Sequence, residues 1–384
     1  MAKTLHICPD EKFMDMIYDK FETINPGNNR VIVISNTKKF KHIKKTPAYN
    51  VSPLTLLGRR FAESLAAYDV VFIHYMNQMD LFLISQTPKN VRFVWCGWGV
   101  DYYDLITQGD RTALLKPRTK ELFCRQMELR KSTPLVKMKQ FIKGLFGYDK
   151  MNKIEIINNR VSYFVPVIEE DYELVKKSIP EFRPSYISWN NGTLEDDMIR
   201  DFKDEVVSGR NILLGNSASY ENNHLDAFDL IKKQKLDGRK IIAPLSYGDA
   251  FYREKIITYG KQYFGEGFFP LVDFLPIDQY LDIIKSCSYV LMNHLRQQGL
   301  GSIISMLYMG AKVFLDKKNP VYHFFKKQGA HIFTLDDFDS ELRSKLKMPE
   351  IEKNRDILRK RWSRDVILNK TKNMIDTVMS SPGM

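Results

Sequence analysis

The chain has 384 residues, enough for two domains of ordinary size, with the 44% hydrophobic and 27% charged content of a soluble globular protein. No apolar run reaches bilayer-crossing length, and the start Met1-Ala2-Lys3-Thr4-Leu5-His6-Ile7-Cys8 lacks the apolar core and cleavage site of a signal peptide. The net charge of +12 leaves the fold open but admits phosphate-bearing substrates, nucleic acid or an anionic membrane surface as partners.

In chain order, Thr4–Cys8, Arg30–Ser35, Val70–His74, Val91–Cys96 and Val161–Val165 are short β-branched or aromatic runs. Lys12–Phe21, Pro53–Ala67 and Met76–Ser85 lie between them with helical spacing. Nearly all-apolar strands alternating with helices predict a parallel sheet covered on both faces. Between Arg111 and Lys153 twelve Lys/Arg accompany three Asp/Glu, and Leu135, Met138, Phe141, Ile142 and Leu145 recur at helical spacing. That pattern predicts a basic amphipathic insert over 111–155, facing either an anionic membrane or the domain itself. The pattern breaks over 182–193, where Pro184, Trp189, Asn190, Asn191 and Gly192 mark a linker.

The second half resumes with strands at Asn211–Leu214, Lys240–Pro244, Phe268–Leu271, Ser288–Asn293, Lys312–Asp316 and His331–Thr334, separated by helices. Glu350–Met379 reads as largely helical. These boundaries predict an N-terminal Rossmann-like domain over 1–188, a C-terminal one over 189–349, and a helix in 350–384 packing back across the junction. The four cysteines (Cys8, Cys96, Cys124, Cys287) lack metal-ligand spacing and fit a reducing cytoplasm.

Three strand ends in the second half run into polar, glycine-bearing turns. They are Gly215-Asn216-Ser217, the segment Pro244 to Asp249 containing Tyr247, and Asn293-His294-Leu295-Arg296-Gln297-Gln298-Gly299-Leu300-Gly301-Ser302. The last opens a helix near Gly301 and Ser302, where free N–H groups and the helix dipole suit a phosphate, and Arg296 adds a bidentate fork. In open α/β sheets such strand ends bind the ligand. An ordinary strand–turn–helix junction is the alternative. No G-x-G-x-x-G follows a first strand, and no P-loop, H-E-x-x-H or G-x-S-x-G occurs. The expected fold is therefore α/β of GT-B architecture, two Rossmann-like domains facing a central cleft, and the expected activity glycosyl transfer.

Gly215-Asn216-Ser217, Asn222-Asn223-His224, Pro244-Leu245-Ser246-Tyr247, the Arg296–Ser302 string, Ala311 and Asn319-Pro320, with His74 and Trp98-Gly99-Val100-Asp101-Tyr102, together resemble a bacterial transferase family. That family moves 4-acetamido-4,6-dideoxy-D-galactose from a dTDP-sugar to a polyprenyl-diphosphate-linked saccharide in enterobacterial common antigen synthesis. The resemblance implies surface-polysaccharide (O-antigen type) biosynthesis by a peripheral enzyme on the inner face of the cytoplasmic membrane. Two departures stand out. The 111–155 stretch is longer than the family's, and Gln297 and Ser305 occupy the positions of the two glutamates of the wider GT-B pattern.

The expected donor site comprises Gly215, Asn216, Ser217, Tyr247, His294, Arg296, Gln297, Gln298, Gly299, Gly301 and Ser302. Fixed donors stabilising the leaving diphosphate remove the need for a metal, and no Asp-x-Asp occurs in a suitable loop, so no metal or other cofactor is expected. Asp101 and His74 are the candidate general bases, with Trp98 and Tyr102 as acceptor-stacking rings. For Asp101 the alternative is an N-cap of a helix over Tyr102–Leu105, for His74 a structural histidine closing a strand, and for Trp98 and Tyr102 core packing. The expected partners are a nucleotide-sugar donor, a lipid-linked saccharide acceptor and an anionic membrane surface met by 111–155. A UDP-sugar donor acting on another surface glycan is the first alternative. A non-catalytic nucleotide- or nucleic-acid-binding protein is the second, and the absence of aromatic residues interleaved as a stacking platform speaks against nucleic acid.

Overall fold

The structure, a computed structural model, describes residues 1–37, 39–131 and 153–381. They form two compact units. The first holds the described residues of Met1–Gly109, Lys137–Thr193 and Arg364–Met384, the second those of Asp110–Val136 and Leu194–Ser363.

In the first unit β1 (Thr4–Cys8), β2 (Asn29–Ile34), β3 (Ala48–Val51), β4 (Val70–His74), β5 (Phe93–Cys96), β6 (Val161–Val165) and β7 (Ser185–Tyr186) form one parallel sheet, ordered β3-β2-β1-β4-β5-β6-β7. Every residue of β1, β4 and β5 is buried, which is why these strands read as unbroken apolar runs. The Phe13–Ile24 helix covers one face, placing Met14, Ile17 and Phe21 against Val31, Val33 and Phe72. Burying each such side chain contributes about 1.5–3 kcal/mol. A capping box sets the start of the next helix: Asn77 Oδ1 accepts from Met79 N at 2.8 Å and Asp80 Oδ2 from Asn77 N at 2.8 Å. The helix therefore runs Gln78–Gln86, two residues later than periodicity alone predicts.

In the second unit β8 (Asn211–Leu214), β9 (Ile241–Pro244), β10 (Phe268–Leu271), β11 (Cys287–Met292), β12 (Lys312–Leu315) and β13 (Phe333–Thr334) form a parallel sheet ordered β10-β9-β8-β11-β12-β13. Both sheets reverse winding direction beside their first strand, between β1 and β4 and between β8 and β11. These are the topological switch points of doubly wound sheets, where loops diverge and leave a crevice at the strand ends. The expected α/β class with two Rossmann-like parallel sheets is the observed one.

The expected single C-terminal helix is broken. Ser363 is extended (φ −60°, ψ 153°) and ends the Met348–Trp362 helix. That helix belongs to the second unit, where Arg355 Nε donates to Tyr308 O at 2.9 Å. The following Arg364–Ser380 helix belongs to the first, where Met374, Ile375 and Val378 join the core around Phe21.

The basic stretch also differs from expectation. Its part from Arg111 to Lys131 is no insert of the N-terminal domain but packs within the second unit. Pro117 opens the Pro117–Lys131 helix, and the Asp226 carboxylate accepts from Arg118 N and Thr119 N at 3.0 Å each, satisfying two free helix-end donors. Leu115 and Phe123 enter the core, Phe123 edge-on to Tyr220 at 5.1 Å. Local charge counting does not register these distant carboxylate and aromatic partners. Leu135, Met138, Phe141, Ile142 and Leu145 lie outside the described residues. Among the described residues no helix is long and apolar enough to cross a membrane.

Candidate functional site

The switch point of the second unit gathers the turns after β8 and β11. Gly215, the first residue past β8, has φ +66° and donates its N–H to Leu291 O at 3.0 Å. A Cβ there would stand 2.6 Å from Asn222 Oδ1 and 2.8 Å from His224 Nε2. Only glycine fits both the backbone angle and the space. Gly215→Ala is expected to lower stability by about 1–3 kcal/mol, read as a lower urea midpoint at unchanged m; an unshifted midpoint would show that the Asn222–His224 turn yields freely.

Asn222 organises the site. Its Oδ1 accepts from Asn216 N at 2.9 Å and pairs with His294 Nε2 at 2.7 Å, while Nδ2 donates to Ser217 Oγ at 3.1 Å and Ser219 Oγ at 2.9 Å. Gln298 bridges from the other turn, donating to Asn216 Oδ1 at 3.1 Å and Ser219 Oγ at 2.8 Å. Asn216 Nδ2 donates to the hydroxyl of Tyr247 at 3.0 Å, and that ring is half exposed. Asn319 pins the β11 turn by donating to the carbonyls of His294 and Arg296 at 3.0 Å each. Asn216, Ser217, Tyr247, His294 and Gln298 thus join through Asn222 and Ser219 in one connected network, which Gly215 adjoins at the start of the β8 turn.

Gly299, at φ +66°, turns the chain into the Leu300–Tyr308 helix, whose N-cap supplies no side-chain hydrogen bond. A Cβ at Gly301 would meet nothing within 4 Å, so the first turn of this helix is open at Gly301, while Leu300 and Ile303 are buried. Unsatisfied N–H groups at a helix start carry partial positive charge. Arg296 is buried beside them, with Nη1 donating to Gln297 O at 2.8 Å; Gln297 is buried too. Ser305 Oγ, at the position of the second GT-B glutamate, donates to Met198 O at 2.9 Å and Gly301 O at 3.0 Å, so it serves the backbone.

Lys116 joins the site without any signal in the sequence. Its ammonium bonds Asp316 at 2.7 Å and Asn293 Oδ1 at 2.5 Å, and its backbone N–H reaches Asn223 Oδ1 at 2.7 Å. No local pattern marks a lysine that lies 177 residues before Asn293. Burial lowers the pKa of His294, and the neighbouring Arg296, His224 and Lys116 lower it further. Burial alone brings His224 down to about 3. Both rings are neutral near pH 7, so the positive charge here comes from Arg296, the helix end and Lys116, the last offset by its ion pair with Asp316.

In the first unit Asp101 is not a free carboxylate. Oδ2 accepts from Trp95 Nε1 at 2.8 Å and Met76 N at 3.1 Å, and Oδ1 from Trp98 N at 2.8 Å. Burial pushes its pKa up and these donors pull it back. It is not the N-cap of the following helix either: that cap is Tyr102, and the helix runs only Tyr103–Ile106. Asp101 instead ties the end of β5 to the turn after β4.

Tyr102 does not offer its ring to a ligand. It is fully buried, and its hydroxyl donates to Asp171 Oδ2 at 2.6 Å. Trp98 is partly buried and meets Phe13 edge-on at 5.4 Å, within the core around the Phe13–Ile24 helix. His74 ends β4 at the switch point. It is buried, with Nε2 3.0 Å from His6 Nδ1, while its own Nδ1 has no partner.

The family described as 4-alpha-L-fucosyltransferase, glycosyl transferase group 56, matches residues 166–356. Among solved structures, the sucrose-phosphate synthase of Thermosynechococcus elongatus has a TM-score of 0.67 at 8% identity, over 99% of this chain and 100% of that one. Anabaena HepE in complex with UDP and glucose has a TM-score of 0.63 at 11% identity, over 99% and 100%. The lipopolysaccharide outer core galactosyltransferase WaaB has a TM-score of 0.59 at 13% identity, over 98% and 99%. The fold is therefore that of GT-B enzymes, and with the family match it defines the class: the chain is a glycosyltransferase.

Proposed function

We propose that the second unit binds a nucleoside-diphosphate sugar with its diphosphate at the start of the Leu300–Tyr308 helix. The observation that carries this reading is the conjunction at one switch point of a helix start without a side-chain cap and open at Gly301, the buried Arg296, and Lys116 held by Asp316 and Asn293. As the bond from the anomeric carbon to the diphosphate breaks, the leaving group gains negative charge, and preorganised donors stabilise it. Gly299, Gly301 and Ser302 would supply backbone N–H groups without competing side-chain caps, and Asn216, Ser217 and Gln298 would hold the turn that meets the nucleotide. Tyr247, half exposed beside Asn216, would cover the base or sugar. No metal is required by this arrangement.

The narrower reading is a dTDP-linked 4-acetamido-4,6-dideoxygalactose as donor and a polyprenyl-diphosphate saccharide as acceptor, used by a peripheral enzyme at the inner membrane face. The description of the matched family supports a 6-deoxyhexose donor, since L-fucose has the 6-deoxygalactose constitution, in the opposite enantiomeric series. Anabaena HepE, which shares the fold, was solved in complex with UDP, and this favours a UDP-sugar as the second reading.

Thermal unfolding with dTDP, UDP, GDP or CDP, without and with Mg²⁺, tests both. A nucleotide at about a hundred times its Kd stabilises the native state by roughly 2.7 kcal/mol. A metal-independent shift with dTDP alone is the expected result. A shift with UDP alone would transfer the donor assignment to UDP-sugars, and none with any nucleotide would remove the site.

A further inference from the structure

Residues 23–62 carry eight Lys/Arg and no Asp/Glu. Five of the eight fall in residues 36–47, the crossover from β2 to β3. Such a crossover usually carries a helix. Here the described residues instead form a loop wrapped around two carboxylates from outside it. Asp10 accepts from the backbone N–H of Lys41 at 2.5 Å, and of His42 and Ile43 at 3.0 Å each. Asp15 accepts from Lys44 N at 2.9 Å, Lys45 N at 3.1 Å and Thr46 N at 2.9 Å, and from Thr46 Oγ1 at 2.7 Å. Six consecutive amides are thus held at the start of the Phe13–Ile24 helix, with Phe40 and Ile43 packed against the core.

This clamp commits the carboxylates to the backbone and leaves Lys39, Lys41, Lys44 and Lys45 exposed. Burial raises the pKa of Asp10 and Asp15, but the donors outweigh it and hold both below the usual carboxylate value. Among the described residues none of the four ammoniums pairs with a carboxylate. Crowding like charges on one short loop costs the fold self-repulsion, which an anionic partner would relieve. An apolar side chain stands close by. Ser52 Oγ donates to Asn36 Oδ1 at 3.3 Å and Asn50 Nδ2 donates to Thr37 O, tying the start of the loop to the end of β3. Leu54, two residues past Ser52, is 75% exposed. The loop's own aromatic, Phe40, lies against the core, so it offers no stacking face to a base. Lysines beside a protruding leucine fit an anionic bilayer, whose headgroups attract the charges and whose acyl boundary accepts the leucine.

We infer that Lys39, Lys41, Lys44, Lys45 and Leu54 form a docking surface for the anionic phospholipid headgroups of a membrane. The inference rests on the reading of a peripheral enzyme above, and it puts the membrane contact in the β2–β3 crossover of the first unit. The clamp fixes the loop backbone before contact, so docking orders little beyond the lysine side chains. The attraction is between exposed charges, so salt screens it.

Co-sedimentation of the full chain with vesicles of mixed phosphatidylglycerol and phosphatidylcholine, or of phosphatidylcholine alone, tests this. Wild type is expected to bind the anionic vesicles only, and less as NaCl rises. Lys39→Ala, Lys41→Ala, Lys44→Ala and Lys45→Ala together are expected to weaken that binding by roughly 10²-fold or more, with the urea midpoint unchanged. Lys233→Ala, Lys235→Ala, Lys240→Ala and Lys261→Ala remove the same charge from exposed positions of the second unit and are expected to leave it nearly unchanged. Leu54→Trp reads insertion directly: its emission is expected to move to shorter wavelength on anionic vesicles. No loss in the first quadruple variant, or an equal loss in both, would overturn the inference and leave the peripheral reading standing. So would an unshifted Leu54→Trp emission in vesicle-bound protein. If the first variant kept its vesicle binding but lost binding to oligonucleotides, the loop would belong to nucleic acid instead. A wild type that ignores anionic vesicles would overturn both the inference and the peripheral reading, while the nucleotide-dependent thermal shift would still decide the donor site.

Discussion

Arg296→Lys is expected to lower kcat/KM by roughly 10²–10³-fold while the protein stays folded. The substitution keeps the positive charge and most of the buried stem, so the potential around the helix start survives. It removes the planar fork. Arg296 already spends Nη1 on Gln297 O at 2.8 Å, and a guanidinium can hold that carbonyl and an oxyanion at once in fixed geometry. A lysine ammonium at the same place would have to choose between them, and its flexible stem does not preset the choice. Steady-state kinetics with a matched urea unfolding curve checks this. Turnover equal to wild type would mean that charge alone suffices, and Lys116 or the helix end would then carry the leaving group.

Asp101→Asn is expected to cost about 2–4 kcal/mol of stability, lowering the urea midpoint of the first unit's transition. The Asp101 carboxylate accepts from Trp95 Nε1, Met76 N and Trp98 N through both oxygens. An asparagine offers one oxygen, and its NH₂ must face at least one of those N–H groups, so a buried donor loses its partner and meets another donor. Any loss of turnover should follow the loss of folded protein and recover when the chain is stabilised, for instance by the osmolyte TMAO. Unchanged stability with turnover lost would restore Asp101 as a group that acts on the substrate. From the sequence Asp101 reads as base or helix cap; its observed role depends on Trp95 and Met76, which no local spacing connects to it.

The turns of the proposed donor site are more legible in the sequence than the first unit's polar residues, for a physical reason. A strand end, a glycine with positive φ and a helix start are consecutive in the chain, so the Gly215–Ser217 and Arg296–Ser302 turns announce themselves. Asn222, which joins Asn216, Ser217, Ser219 and His294, looks in the sequence like one polar residue among several. Its importance comes from two turns meeting at a switch point. The helix Glu169–Ser178 escapes a reading by periodicity, although three acidic residues open it and two lysines close it, a charge order that suits the helix dipole. Its low hydrophobicity hides a periodic signal carried by few apolar positions.

By itself the sequence determined the local terms: buried parallel strands from unbroken apolar runs, helices from three- and four-residue spacing, and glycine turns where a side chain has no room. Those terms depend on neighbours along the chain, and they suffice for an α/β reading with two parallel sheets. Only the tertiary structure decided the rest. It assigned the Pro117–Lys131 helix to the second unit through Asp226 and Phe123, broke the C-terminal helix at Ser363, and brought Lys116 beside Asn293 and Asp316. It also turned Asp101 and Tyr102 inward and aligned Thr4, His6 and His74 on one sheet face. Each of these depends on hydrogen bonds and packing between residues tens to hundreds of positions apart. Their energies exist only after the chain has closed the loops that bring the partners together.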